Sequence, residues 1–504
     1  MKDKVIFWID QDFTYYGVAN YLQKKIDCDF FAIIDVTNKV KKFFKEQKLV
    51  GFKKTWYYFD NISRKEEIDL EYLQNFEKKY GINLWELAIN ERMFYNYNHF
   101  YNFSDEEILS ILTQECKLFE SVLDEAKPDF FLATPVKQHK DSLFYKICKA
   151  RGIKIIILEQ PKFAYHGTLT NELQTFDTTD KLSDFQITGK SFGELRDYMK
   201  SYDGYKQTNN AGQKFASSNT EKIKAAIDFL LLSRNTNLKT HYTYFGRSKF
   251  RVLKHELISS LKKRIREKFI GKHFLKNISG KEKFIYFPLG VDEERTLLID
   301  SPFLTNQIEV IRNIVKSMPV GYKLYVKEAP SMRIRKWRKI SEYKEMLKIP
   351  NVRMIHPTVH PKQIYEKCSL VISIIGSAGF EAAFYEKPSM AFTDTNYTIL
   401  PSVTKIDSID TLADSINKSL QTKVFAGDLE RYISFVEKNS FIIDIYSLRV
   451  NQHNHFHYGG HLIDVEISIE KMKEFLEQNK ETFDILAEKN FERMKFLRQT
   501  NLVK

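Results

Sequence analysis

Residues 370–392, LVISIIGSAGFEAAFYEKPSMAF, read as a buried strand, a glycine turn, the start of a helix and a second buried strand. Leu370 to Ile375 form a short apolar, β-branched run, the pattern of a parallel strand covered on both faces. Gly376, Ser377, Ala378 and Gly379 then remove side-chain bulk where a helix begins. Glycine lets a backbone approach a ligand closely, and the free N–H groups of a first helical turn attract anions. Ser377 is the expected N-cap. Glu381, one turn in, is placed to accept hydrogen bonds from a ribose. Pro388 ends the helix. An ordinary tight connection without a ligand is the competing reading, since one glycine pair is a weak signal.

The same alternation of strand and helix runs outward from this stretch. In the second half, strands are expected at residues 283–288, 322–327 and 352–355, with helices at 306–317, 334–347 and 361–367. In the first half, strands are expected at 4–9, 30–34, 54–59, 130–133 and 154–158, and residues 66–126 read as helical. The aromatic run MFYNYNHFYNF at 93–103 reads as a packing helix face rather than a stacking platform for sugars or bases. Such alternation predicts parallel sheets with right-handed crossovers. Ligands bind beyond the carboxyl ends of such strands, so Asp10, Asp12, His139 and Glu159 are expected to share one crevice. Of these, Asp12, His139 and Glu159 are the first half's candidates for base chemistry on an acceptor. Glu294 follows a strand of the second half and is a further catalytic candidate. Lys327 ends another strand, where an ammonium neutralises phosphate as a point charge. The expected phosphate and nucleotide contacts are therefore Lys327, Gly376, Ser377, Ala378, Gly379 and Glu381, and Asp394, Asn396 and Tyr397 are placed to read a base or ribose edge.

Four pieces in this order, FPLGVDEERT (287–296), YKLYVKEAP (322–330), NVRMIHP (351–357) and GSAGFEAAFYEKP (376–388), resemble the nucleotide-binding domain of GT-B glycosyltransferases. The likeness is strongest to the capsule polysaccharide biosynthesis family that includes bacterial Kdo transferases. It implies an α/β, GT-B-like fold: two Rossmann-like domains with parallel sheets facing a cleft, plus helical insertions. It also implies a sugar nucleotide, CMP-linked in the Kdo transferases, with its phosphates near the GSxGxEA turn. The family's His-Pro after Val-Lys-Glu is Ala329-Pro330 here, so Lys327, His356 or His360 is expected to stand in for the imidazole.

Composition narrows the partners. The net charge of +13 favours an anionic one. Cations concentrate in residues 260–276, SLKKRIREKFIGKHFLK, where Leu261, Ile265, Phe269 and Ile270 recur at helical spacing. That pattern suits either an anionic membrane surface or a solvated face packed on the protein. No nucleic-acid module accompanies the charge, so nucleic acid is not an expected partner. The four scattered cysteines fit buried thiols of a reducing compartment. The N-terminal MKDKVIFWIDQDF lacks the pattern of a signal peptide, and a cytoplasmic protein, peripheral at the inner face of the plasma membrane, is expected. His453, His455, His457 and His461 invite a zinc reading. With no cysteine near them, neither a metal nor another cofactor is expected.

The expected organisation is an acceptor-side domain (1–165), a polar and basic linker or insertion (166–280), a nucleotide-sugar domain (281–425) and C-terminal helices crossing back to the first domain (426–504). The expected function is transfer of a sugar from a nucleotide-activated donor to a growing surface polysaccharide or lipid-linked glycan. Its rivals are a sugar-nucleotide epimerase or hydrolase on the same fold, and a non-catalytic subunit of a glycan assembly complex.

Overall fold

A computed structural model describes residues 2–64, 67–202, 219–232, 234–280 and 282–500. The chain forms two compact units. The first comprises residues 1–177, 203–251 and 440–504, and the second comprises 178–202 and 252–439.

The first unit is built on β1 (Lys4–Ile9), β2 (Asp29–Ile34), β3 (Phe52–Tyr57), β4 (Phe130–Ala133), β5 (Lys154–Glu159), β6 (His166–Thr170) and, far along the chain, a second edge strand at Phe441–Ile442. The order from that edge is 441–442, β6, β5, β4, β1, β2, β3. The five strands from β5 to β3 are parallel, as their apolar runs predict. The β6 strand and the 441–442 edge are antiparallel additions, in a region expected to hold only loops and helices. Val5, Phe7 and Ile9 pack on one face of β1 with helix Thr14–Leu22 and the C-terminal helices Ile469–Gln478 and Lys480–Thr500.

The second unit holds β7 (Lys283–Pro288), β8 (Tyr322–Lys327), β9 (Val352–Ile355), β10 (Leu370–Ser373), β11 (Ser389–Ala391) and β12 (Val403–Lys405), all parallel in the order β12, β11, β10, β7, β8, β9. The protein is thus α/β with two mostly parallel sheets. Among the described residues no helix is long and apolar enough to cross a membrane.

Several expectations change. Residues 166–280 are divided between the units rather than forming a linker of their own. In the first unit, the His241 ring stacks on Phe59 at 3.8 Å, and the buried Asn237 accepts from the Asn38 N–H at 2.9 Å. In the second, the Glu430 carboxylate accepts from the Thr188 hydroxyl and from the Gly189 N–H. The aromatic run at 93–103 is irregular, not helical. Asn96 adopts φ +63°, and the Asn98 side chain accepts from the Phe100 N–H at 3.0 Å, a local bond that competes with helix. The helix expected from 334 begins only at Ile340, because Lys336 and Trp337 take left-handed conformations.

The C-terminal helix is seated where Gly17 leaves room. A Cβ at 17 would run into the ring of Phe483, which stacks on Tyr21. Gly17→Ala is expected to lower stability by about 1–3 kcal/mol, measured by urea unfolding; an unchanged midpoint would mean that the ring has room to move.

Candidate functional site

In the second unit, the carboxyl ends of β7, β8 and β10 place the signature residues. The register pairs Pro288 with Lys327 and Lys327 with Ile355. Along β8, Leu324 and Val326 face one hydrophobic core, whereas Tyr325 packs with Ala378, Ala382 and Tyr365 on the other side. Alternation therefore gives Lys327 the side that carries the glycine turn.

Lys327 is only 3% exposed and makes no hydrogen bond or ion pair with another side chain among the described residues. Burial pushes its ammonium down to about 8, and the Glu381 carboxylate only partly opposes this. Below pH 8 the buried charge therefore costs stability, and that cost disappears as pH rises from 8 to the ordinary lysine value near 10.5. A buried cation lacking a contacting anion is the feature a bound phosphate would satisfy.

The turn differs in detail from its sequence reading. Ser377 has helical dihedrals and does not cap the helix Ala378–Ala383; its hydroxyl donates to Glu381 Oε1 at 2.7 Å. Tyr365 donates to Glu381 Oε2 at 2.9 Å. Glu381 is thus fixed in place, and each oxygen keeps a further lone pair. The N–H groups of Ala378 and Gly379 donate to no described residue. Gly379 is required by packing, because a Cβ there would lie 3.0 Å from the Tyr397 ring and hydroxyl. A Cβ at Gly376 would meet open space. Tyr397 is buried and donates to the Gly376 carbonyl at 2.6 Å, so it buttresses the turn instead of facing a base. Asp394 pairs with Lys405 at 2.5 Å.

The stand-ins for the imidazole absent at 329 are engaged locally. His356 Nδ1 lies 2.7 Å from the Thr358 hydroxyl, and burial and Lys276 hold its ring below the usual histidine range. His360 accepts from the Lys362 N–H and caps the helix Pro361–Tyr365. Glu328, next to Lys327, is fully buried on the opposite side, accepting from Arg338 Nε and the Tyr343 hydroxyl, both at 2.8 Å. Arg338 continues to Asp292 and to the Gly290 carbonyl. Glu294 precedes the helix Arg295–Leu298 and pairs with Arg335 at 3.5 Å.

In the first unit, Asp10 and Asp12 are joined by Lys137 Nζ at 3.0 and 3.3 Å, and Arg449 adds a contact to Asp12 at 3.3 Å. Burial opposes ionisation of Asp12, yet Lys137 and Arg449 hold its carboxyl well below the usual range. His139 belongs to a different network. Its Nδ1 lies 2.9 Å from Glu91 and its Nε2 2.9 Å from Glu115. Burial opposes the charge, but Glu115 and then Glu91 push the imidazole up to about 10, while Glu91 is drawn down to about 2. His139 is therefore an imidazolium clamped between two carboxylates, not the open base that its sequence position suggests. Glu159 is buried at the end of β5, opposite Thr168. Asp141 was missed in the sequence. It accepts from the Lys137 and Gln138 N–H groups at 2.7 Å, and burial raises its carboxyl to about 6; the Gln-x-x-Asp spacing of a capping box was its signal.

His453 and His457 stand 5.4 Å apart by ring centroid, and His455 bonds the Lys471 carbonyl. Among the described residues no three His, Cys, Asp or Glu side chains are grouped to hold a metal ion.

Because the His139 pKa is raised on folding, its clamp contributes fully below the ordinary value near 6.5, and the contribution is lost as pH rises through about 10. His139→Gln should destabilise the protein by about 3–5 kcal/mol at neutral pH, as expected when one partner of a buried charge network is removed. Chemical unfolding at several pH values checks this. Unaltered stability would show that the two carboxylates do not need the imidazolium.

A family model described as capsule polysaccharide biosynthesis protein matches residues 197–433. No curated protein matches the sequence. Among solved structures, UDP-GlcNAc 2-epimerase from Methanocaldococcus jannaschii is 13% identical, with 87% of this chain and 99% of that chain covered and a TM-score of 0.25. KpsC, beta Kdo 2,7 transferase, from Thermosulfurimonas dismutans is 12% identical, with 71% and 93% covered and a TM-score of 0.29. The beta Kdo 2,4 transferase of the same organism is 11% identical, with 57% and 86% covered and a TM-score of 0.27. TM-scores this low carry no argument about activity. The family match spans a little under half of the chain and holds all the signature pieces of the second unit.

Proposed function

We propose that the protein is a glycosyltransferase of capsule polysaccharide assembly, and that its second unit binds the phosphate of a nucleotide-activated sugar between Lys327 and the turn at Gly376, Ser377 and Ala378. The observation that carries this reading is the buried Lys327 ammonium without a contacting anion, on the sheet face that also holds the turn. The match of residues 197–433 to the capsule polysaccharide biosynthesis model supports this reading.

Transfer requires the departing phosphate to be stabilised as the glycosidic bond breaks. The Lys327 cation and the N–H groups of the turn supply this from fixed positions. Glu381, held by Ser377 and Tyr365, offers its remaining lone pairs to the ribose hydroxyls. The acceptor, a polysaccharide or lipid-linked glycan, needs a carboxylate to orient and deprotonate its hydroxyl. Asp10, Asp12 and Glu159 are the first unit's carboxylates for that role. A CMP-linked donor is the specific form favoured by the family resemblance.

The test is a thermal-shift panel of CMP, CDP, UDP and GDP on the wild type and Lys327→Met. A nucleotide at about 100 times its dissociation constant adds about 2.7 kcal/mol to the folded state. The wild type should respond to one nucleotide and the variant to none, while the unliganded variant is at least as stable as the wild type because a buried charge has been removed. Affinity should fall about tenfold per unit above pH 8 in the wild type and stay flat in the variant. A response to no nucleotide at millimolar concentration would sink the reading and favour a non-catalytic role.

The two glycines separate binding from folding. Gly379→Ala should cost about 1–3 kcal/mol of stability through Tyr397. Gly376→Ala should leave stability within about 0.5 kcal/mol but remove the nucleotide response. If Gly376→Ala binds nucleotide like the wild type, the phosphate does not approach the turn there.

A further inference from the structure

The helix Lys249–His273 is held at its C-terminal end and bare along its middle. Ile270 and the following Phe274 enter the second unit's core, and Arg266 donates to the Lys336 and Trp337 carbonyls at 2.8 and 2.7 Å. Phe269 is half-buried against the same core, so the last two apolar positions of the basic segment face inward. The preceding ones do not. Leu257, Leu261 and Ile265 are 69%, 60% and 58% exposed, and Leu253 and Ile258 are exposed beside them. Their spacing of four residues aligns Leu253, Leu257, Leu261 and Ile265 on one side of the helix.

Cations are interleaved with this stripe. Lys254, Lys262, Arg264 and Lys268 are exposed and have no acidic partner among the described residues. The helix's two acids are already engaged: Glu256 pairs with Lys336, and Glu267 meets Arg333 and the Trp337 indole N–H. The outward side is therefore apolar and uniformly positive.

We infer that this helix lies along an anionic bilayer surface, with the Leu253, Leu257, Leu261 and Ile265 side chains in the headgroup layer and the interleaved Lys and Arg side chains on lipid phosphates. Long cationic side chains extend from a partly immersed helix to reach the phosphate level, and the apolar stripe adds burial that charge alone does not provide. A nucleic-acid backbone would satisfy the cations but leave the leucines in water. A lipid surface satisfies both, and it is the medium that presents a lipid-linked acceptor.

The full chain is sedimented with vesicles of phosphatidylcholine alone, or of phosphatidylcholine and phosphatidylglycerol in equal parts. The wild type should pellet with the anionic vesicles only. The double variant Leu257→Glu/Leu261→Glu should lose about tenfold or more of this binding, with circular dichroism unchanged because both positions are exposed. Lys254→Gln/Arg264→Gln/Lys268→Gln should lose the preference for phosphatidylglycerol. The inference fails if the wild type stays in the supernatant with anionic vesicles, or if the leucine variant binds as well as the wild type. It also fails if the leucine variant converts a dimer to a monomer in size-exclusion chromatography while neither protein binds vesicles, since the stripe would then join two copies of the chain.

Discussion

Lys327 and Glu328 are an ammonium and a carboxyl side by side in sequence, yet strand geometry keeps them from pairing with each other. Successive side chains at a strand end point to opposite faces of the sheet. Glu328 goes to the face of Arg338 and Tyr343, which hold it by two bonds of 2.8 Å, and Arg338 carries the network to Asp292 and Gly290 at the end of β7. That closed network fixes the loops at the carboxyl edge of the second sheet. On the other face Lys327 has no such partner in contact among the described residues, only the field of Glu381. Burial raises the Glu328 carboxyl to about 8, but donors enclose it; the lysine one residue away lacks such a partner, and a negative ligand would supply one.

The first unit treats the same problem differently. Charges at its carboxyl edge meet other side chains of the unit: Lys137 with Asp10 and Asp12, His139 with Glu91 and Glu115, and Lys140 with Asp35 at 2.7 Å. Buried pairs of this kind contribute little net stability but make single removals costly. They make the edge a rigid frame for Asp12 rather than a store of free bases. An imidazole with both nitrogens committed to carboxylates has no lone pair available for a hydroxyl proton.

The strands were legible because parallel strands buried on both faces are uninterrupted apolar runs; β1, β7 and β8 were expected with the bounds they have. The location of the candidate site was legible for a related reason, since glycines and a lysine at strand ends break those runs. What sequence could not reveal is who pairs with whom. His139 meets carboxylates 48 and 24 residues away, and Glu430 ties down Thr188 across 242 residues. Nine residues, two and a half turns, put the bare Leu261 and the buried Ile270 on opposite sides of their helix, but only the bonds of Arg266 to Lys336 and Trp337 show which side meets protein. Ser377 misled for a local reason: its dihedrals are already helical, so its hydroxyl donates to Glu381 and accepts from no backbone N–H of the first turn.

The alanine at 329 bears on how the phosphate would be held. Its N–H donates to Glu328 Oε1 at 2.8 Å, and its methyl packs on the core that contains Val326, so this position is tied to the closed network. His356 and His360 each use Nδ1 locally, toward Thr358 and Lys362. What does stand at this edge is a lysine whose ammonium is costly to keep charged while the site is empty. A ligand phosphate would offset that cost, coupling occupancy to the charge of Lys327. On the proposed reading a donor phosphate would meet the lysine rather than an imidazole at 329.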